Sequence, residues 1–257
     1  MRICQRFLFA VISMLPVFVP AQDKLKLENN RLVVGEILNY KATWGFVTIG
    51  SAYTKIDKTI YKIGSNYCYS VEVNGQTNGL AKLFFLHDKW QSYIDTATIT
   101  THKSFRSIRE GRYQLDEIVH FDHLNQKAEV QVLDKKTHTY VFKKKYDTPG
   151  NIRDIITGAL IFRLIDFEKY AKGDTIVVNG FYEDEAYKIE VVYVGPEYIK
   201  TDKGRIRCYK VTPILPNNKV FNGRKSVDIW FAANKSQAIV RIIAKLFLGN
   251  IHIELQD

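Results

Sequence analysis

The densest group of side chains able to do chemistry is His120 and His123, with Asp116, Glu117 and Asp122 beside them. Imidazoles and carboxylates hold zinc when three or four of them converge. On a strand, residues three apart face opposite sides, so this HxxH pair chelates one ion only if a turn at 122–125 intervenes. A solvated hairpin is the simpler reading, and a metal-dependent hydrolase is a remote alternative. Glu183-Asp184-Glu185 is the closest run of carboxylates. Acid–base catalysis needs two carboxyl groups held in different environments, whereas three adjacent like charges read as a solvated hairpin tip. His87, His102, His138 and His252 stand alone in the sequence. The chain contains no G-x-S-x-G, G-x-G-x-x-G or P-loop spacing, so neither a nucleophile elbow nor a phosphate cradle is expected. No motif calls for a cofactor or a metal, and the expectation is a non-enzymatic protein.

A second set is better suited to capture than to bond-breaking. Trp44, Phe46, Trp90, Tyr93 and Trp230 are large aromatics, and Arg163 lies among apolar neighbours. The plain reading makes the aromatics core and lets Arg163 lay its stem on that core while reaching water. The alternative lines an open groove for an acyl chain or glycan with the aromatics. Arg163 would then bind a carboxylate, belonging either to the protein or to a ligand. Cys68 and Cys208 are the two cysteines beyond the first 21 residues. They lack CxxC spacing, so they form no zinc or redox motif, and a Cys68–Cys208 disulfide is an open option outside the cytoplasm.

The elements that must position these residues are mostly strands. Leu38, Tyr40, Ala42 and Trp44 alternate with polar residues, as do Tyr67, Tyr69, Val71 and Val73, and later Tyr187, Ile189, Val191 and Tyr193. A period of two is that of a half-buried strand. Asn74-Gly75, Glu110-Gly111 and Lys203-Gly204 are turn signals. Asn151–Tyr170 alone carries a long helical pattern, with Ile152, Ile155, Ile156, Ala159, Leu160 and Leu164 in one stripe. Asn151 is placed to cap it and Asp154 to charge its first turn favourably. Gly158 within it implies a close approach by another backbone. The fold expected is mainly β: a large antiparallel meander curled into a half-open, barrel-like sheet, with one central helix packed on it.

Residues 1–21 read as a secretory signal, with Arg2 and Arg6, an apolar run over Phe7–Val19 and small residues before a cut after Ala21. Residues 22–257 then form a single β-rich domain without a transmembrane span. The whole chain carries a formal charge of +10, and loss of Arg2 and Arg6 lowers it to +8. That balance favours anionic envelope surfaces, and export argues against nucleic acid as the partner. Lys143-Lys144-Lys145, the one dense basic run, reads as a solvated strand end.

Three stretches together carry a family resemblance: Gly35-Glu36 through Tyr40, Trp44-Gly45-Phe46, Gly50 and Ala52; then Asp154 to Arg163; then Ile229-Trp230-Phe231, Ile243-Ala244-Lys245 and Gly249. In order and spacing they resemble domain of unknown function 3108, a family of exported bacterial proteins. The resemblance implies an exported, sheet-rich, single-domain envelope protein, periplasmic or envelope-associated, with no activity to carry over. It is also similar in broad plan to half-barrel carriers of lipids and lipoproteins. The function expected is therefore a binding or carrier-like module for a lipid or lipoprotein component. A structural or assembly protein using strand edges or a basic face is the alternative, and the oligomeric state is left open.

Overall fold

The structure, a computed structural model, describes residues 31–78, 86–202, 204–215 and 223–256. The leader read over residues 1–21 lies outside the described residues. Among the described residues, fourteen strands make one antiparallel sheet. The first eight are β1 (Ile37–Trp44), β2 (Val47–Ile63), β3 (Asn66–Thr77), β4 (His87–Asp95), β5 (Thr101–Glu110), β6 (Tyr113–Asp122), β7 (Lys127–Asp134) and β8 (Thr139–Asp147). After a helical segment come β9 (Thr175–Tyr182), β10 (Glu185–Thr201), β11 (Gly204–Pro213), β12 (Val227–Ala232), β13 (Ile239–Leu246) and β14 (Gly249–Leu255).

Sequential strands pair throughout, as short connections favour. The spatial order runs from β8 back to β1, then from β14 back to β9. The first and last strands are therefore neighbours, with Tyr40 opposite Leu255 and Trp44 opposite Ile251. The free edges of the sheet belong to β8 and β9, which are consecutive strands in mid-chain. The sheet curls: Ile56, Val71 and Ile94 from one arm share a core with Ile176, Val191, Tyr209 and Phe231 from the other. The longest strands, β2 and β10, each have 17 residues. Each carries a register shift, β2 between Ile56 and Ile60 and β10 between Tyr193 and Gly195, and such bulges bend a strand. The mainly antiparallel, half-open barrel-like meander expected from the sequence is the fold observed.

The central segment is helical for less of its length than its pattern predicts. The helix α1 spans Ile155–Leu160 and tightens into a 3₁₀ turn over Ile161–Arg163; a second 3₁₀ turn covers Phe167–Lys169. Asp154, not Asn151, is the cap, its carboxylate accepting the Thr157 amide. Asn151 instead has a left-handed backbone at φ 55°. Arg153 is held extended by a parallel bridge to Gly180 of β9, which prevents an earlier start. Ile152, Ile156, Leu160, Ile161, Phe162, Leu164, Ile165 and Phe167 are all buried. They pack with core residues from both arms of the sheet, whereas Ile155 of the same helix is 48% exposed. Phe167 sits among Tyr193, Tyr209 and Phe231, with ring centroids 5.3, 5.2 and 5.9 Å away. The chain's own side chains thus fill the concave face.

Gly158 does not face another backbone: a Cβ built there meets nothing within 4 Å. Helix propensity then acts without a steric penalty, and Gly158→Ala should stabilise the fold by roughly 0.5–1 kcal/mol. A urea midpoint that falls instead would show that a close neighbour had been overlooked.

Candidate functional site

The site begins with a row of side chains across three neighbouring strands. Trp90 on β4 lies opposite Arg106 on β5, which lies opposite Glu117 on β6. Cross-strand partners on one face stand close enough for their side chains to meet. Arg106 grips Glu117 with both prongs of its guanidinium, Nε to Oε1 at 2.7 Å and Nη2 to Oε2 at 3.2 Å. Burial alone would lower the guanidinium pKa. The Glu117 carboxylate outweighs that and raises it.

Tyr182 reaches this row from the far end of the sheet. It stacks on Trp90 at 6.0 Å with 22° between the rings, and Arg106 lies 5.5 Å from its centroid. Next to it, Phe181 meets Phe121 at 5.6 Å and Tyr146 at 5.8 Å. Lys143 of β8 pairs with Asp184 in the turn after β9. No backbone ladder joins β8 to β9 among the described residues, so side chains close the sheet here. The two-residue turn Glu183–Asp184 is tight, with both residues at positive φ, 46° and 66°. Such turns match the twist of the flanking strands and favour Asn-Gly, so acidic residues here hold a less favourable backbone.

Between these parts lies a cleft of about 330 Å³, walled by Trp90, Arg106, Ile108, Tyr113, Lys143 and Tyr182, with Glu110 and Glu183 also at its surface. This size falls at the lower end of ordinary ligand sites. Both cations are already engaged, Arg106 by Glu117 and Lys143 by Asp184. Burial, then the nearby Asp88 and Glu183, push the Glu110 carboxyl above its ordinary value. Burial and Glu183 likewise raise the Tyr182 hydroxyl to about 12. The cleft therefore suits an uncharged or hydrogen-bond-donating group better than a bare anion.

The six residues singled out from the sequence do not converge. Trp90 lines the cleft, but Tyr93, three positions along the same strand, takes the opposite face and packs against Tyr61 and Phe105. Trp44 and Phe46 stand exposed at the β1–β2 hairpin. Trp230 is buried with Cys208 and Val240, its indole N–H donating to Glu197. Arg163 does bind a carboxylate, and that carboxylate belongs to the protein's own Glu36, with N–O distances of 2.6 and 2.8 Å. Cys68 and Cys208 are free, buried thiols. They lie on β3 and β11, with β2, β1, β14, β13 and β12 between them in the sheet. Burial raises both thiols to about 11, which leaves them unreactive. His123 turns to His102, their rings 5.1 Å apart, and its Nε2 meets the Thr101 carbonyl oxygen at 2.7 Å. No group of three or more His, Cys, Asp or Glu among the described residues is arranged to hold a metal.

Arg106 and Tyr182 are the residues the sequence does not reveal. Both occur in ordinary alternating strands, and only the strand register brings them to Trp90.

Known proteins place the chain as follows. The pattern that defines DUF3108, described as a protein of unknown function, matches residues 39–256, and the chain belongs to that family. A crystal structure of a beta-barrel-like protein of domain of unknown function DUF1849 from Brucella abortus is similar in fold. Its TM-score is 0.53 at 11% identity, over 86% of this chain and 95% of that one. A Bacteroides fragilis protein with a YmcC-like fold aligns over 90% of this chain and 97% of its own. Its TM-score is 0.33 at 10% identity, too low to support an argument. No curated protein matches the sequence.

Proposed function

We propose that this member of the DUF3108 family is an exported, non-enzymatic binding module of the bacterial envelope, and that its ligand occupies the cleft beside Trp90. Export rests on the basic start and apolar run of residues 2–19. The observation that carries the binding reading is the cleft itself, where an aromatic pair and a fixed Arg106 stand at the gap between the sheet's free ends. A chain threaded through the concave face is a poor fit, because Ile156, Leu160, Phe162 and Phe167 occupy that space. A lipid or lipoprotein component would instead be held by a polar, hydrogen-bonding part. Protein isolated from native membranes should carry such a ligand in native mass spectrometry. Trp90→Ala should weaken its binding by about tenfold or more, the scale of one lost aromatic contact. Ligand-free protein from every preparation, or full affinity in the variant, would overturn the reading.

One observation favours a second reading, an assembly role. Thr139–Lys145 of β8 are exposed without interruption along a free edge, with Phe142 beside three lysines. Lysines and a bulge on an edge guard against pairing with copies of the same chain. An acidic extended segment of another envelope protein is the partner they would tolerate. Cross-linked partners that survive Trp90→Ala but vanish when Lys144 and Lys145 become Glu would favour this second role.

A further inference from the structure

Two hairpins unrelated to the cleft expose large apolar side chains side by side. The β1–β2 turn is Gly45–Phe46, and the β13–β14 turn is Phe247–Leu248. They are neighbours because β1 pairs with β14, which sets Trp44 opposite Ile251. Phe46 is 99% exposed, Leu248 81% and Phe247 66%, while Trp44 and Val47 are each about half exposed. The Trp44 indole lies against the backbone of Gly249, where a Cβ would come within 2.6 Å of Nε1. This contact ties the two turns into one protruding unit. Among the described residues, neither turn contributes these side chains to a core cluster.

We propose that these paired tips are a membrane-docking edge, seated in the headgroup and outer acyl region of a lipid bilayer. Three features favour lipid as the occupant. First, β1, β2, β13 and β14 each have ladder partners on both sides, so the tips offer side chains but no free backbone edge for strand addition. A convex apolar tip with no shape to match suits a liquid phase. Second, the order of exposure suits an interface. Phe46 and Leu248 lead, and the indole of Trp44, apolar but carrying an N–H, follows at the depth where such rings settle. Third, residues 41–56 and 239–253 hold no acidic residue to repel anionic headgroups; Arg241 and Lys245 are paired with Glu254 and Asp228, which leaves Lys41 and Lys55 as the flanking cations open to them. Basic flanks are drawn to anionic headgroups. Two such turns fall short of the roughly 1,000 Å² of a stable protein interface.

In an antiparallel meander every odd-to-even turn lies at the same end of the sheet. The lip of the cleft at Tyr182–Glu183 therefore shares an end with the apolar tips, and docking would turn the cleft toward the bilayer.

The test is flotation of the full-length mature chain with vesicles of phosphatidylethanolamine and phosphatidylglycerol. The wild type should float, and Phe46→Ser/Leu248→Ser should lower the bound fraction at least about tenfold. Its unfolding midpoint should stay unchanged, because both residues are exposed. Phe46→Trp should show emission shifted to the blue on vesicle addition. The inference fails if the wild type stays in solution or the double variant floats equally well. It also fails if the double substitution turns a vesicle-free dimer into a monomer, which would make a second copy the occupant.

Discussion

Arg163→Ala should cost the fold about 3–5 kcal/mol, the range for breaking one partner out of a buried ion pair. Arg163 is 2% exposed. It meets Glu36 through two parallel bonds, and its Nη2 also donates to the Ser236 carbonyl at 3.1 Å. Alanine leaves the Glu36 carboxylate and that carbonyl facing an apolar void. Lysine should not rescue the loss, because a point charge cannot reproduce the planar fork. Replacing both partners, Arg163→Met with Glu36→Leu, should recover most of it, since the uncompensated charge then disappears with its partner. At roughly 2–4 °C per kcal/mol for a domain of this size, the single variant should melt about 10 °C lower. A loss below about 1 kcal/mol in urea unfolding would show that the pair is solvated and contributes little. The pair is mostly shielded, so added salt should change the loss only slightly.

The second large effect is expected at Asp154. Its carboxylate caps α1, accepting the Thr157 amide at 3.0 Å, and also accepts the hydroxyls of Ser92 and Thr101. Asp154→Ala removes the cap and strands those donors in the interior, a loss of about 2–4 kcal/mol. Asp154→Asn keeps an oxygen for the amide and should lose less. The two variants also differ in pH response. Burial raises the Asp154 carboxyl above its ordinary value despite its several donors. A raised acid favours folding in its protonated form. That contribution is complete below the unfolded value near 4 and disappears as the pH rises through the folded value. The stability of the wild type relative to Asp154→Asn should therefore decline from acid toward neutral pH. An advantage that grows with pH would mean that the donors, not burial, control this group.

Much of the fold could be read from local pattern. The alternation through Leu38, Tyr40 and Ala42 marks β1, and similar runs mark β3 and β10, because a strand repeats every two residues wherever one face is buried. The short links announced a meander. The central segment was harder. Its stripe through Ile156, Leu160 and Leu164 fits a helix, but Phe162, Ile165 and Phe167 lie outside the stripe and are buried as well. Contiguous apolar pairs such as Ile161-Phe162 and Leu164-Ile165 were the signal that both arms of a curled sheet pack on the segment, where tight turns can replace regular helix.

The site was legible only in part. Trp90 stands out as a rare residue type, whereas Arg106 and Tyr182 join it through the register of β4 with β5 and through the return of β9, which no local pattern encodes. Arg163 was recognisable as an odd charge among apolar neighbours, but Glu36, 127 positions earlier, was not identifiable as its partner.

The ladder between β1 and β14 unites residues as distant as Tyr40 and Leu255. Contacts this remote in sequence are slow to form, because a long loop must close before they can contribute. Strand β1 has to wait for β14 to be synthesised before its second neighbour exists. Until then the nascent arm from β1 to β8 presents raw edges at both ends, and deleting the final seven-residue strand should leave the polypeptide prone to aggregation.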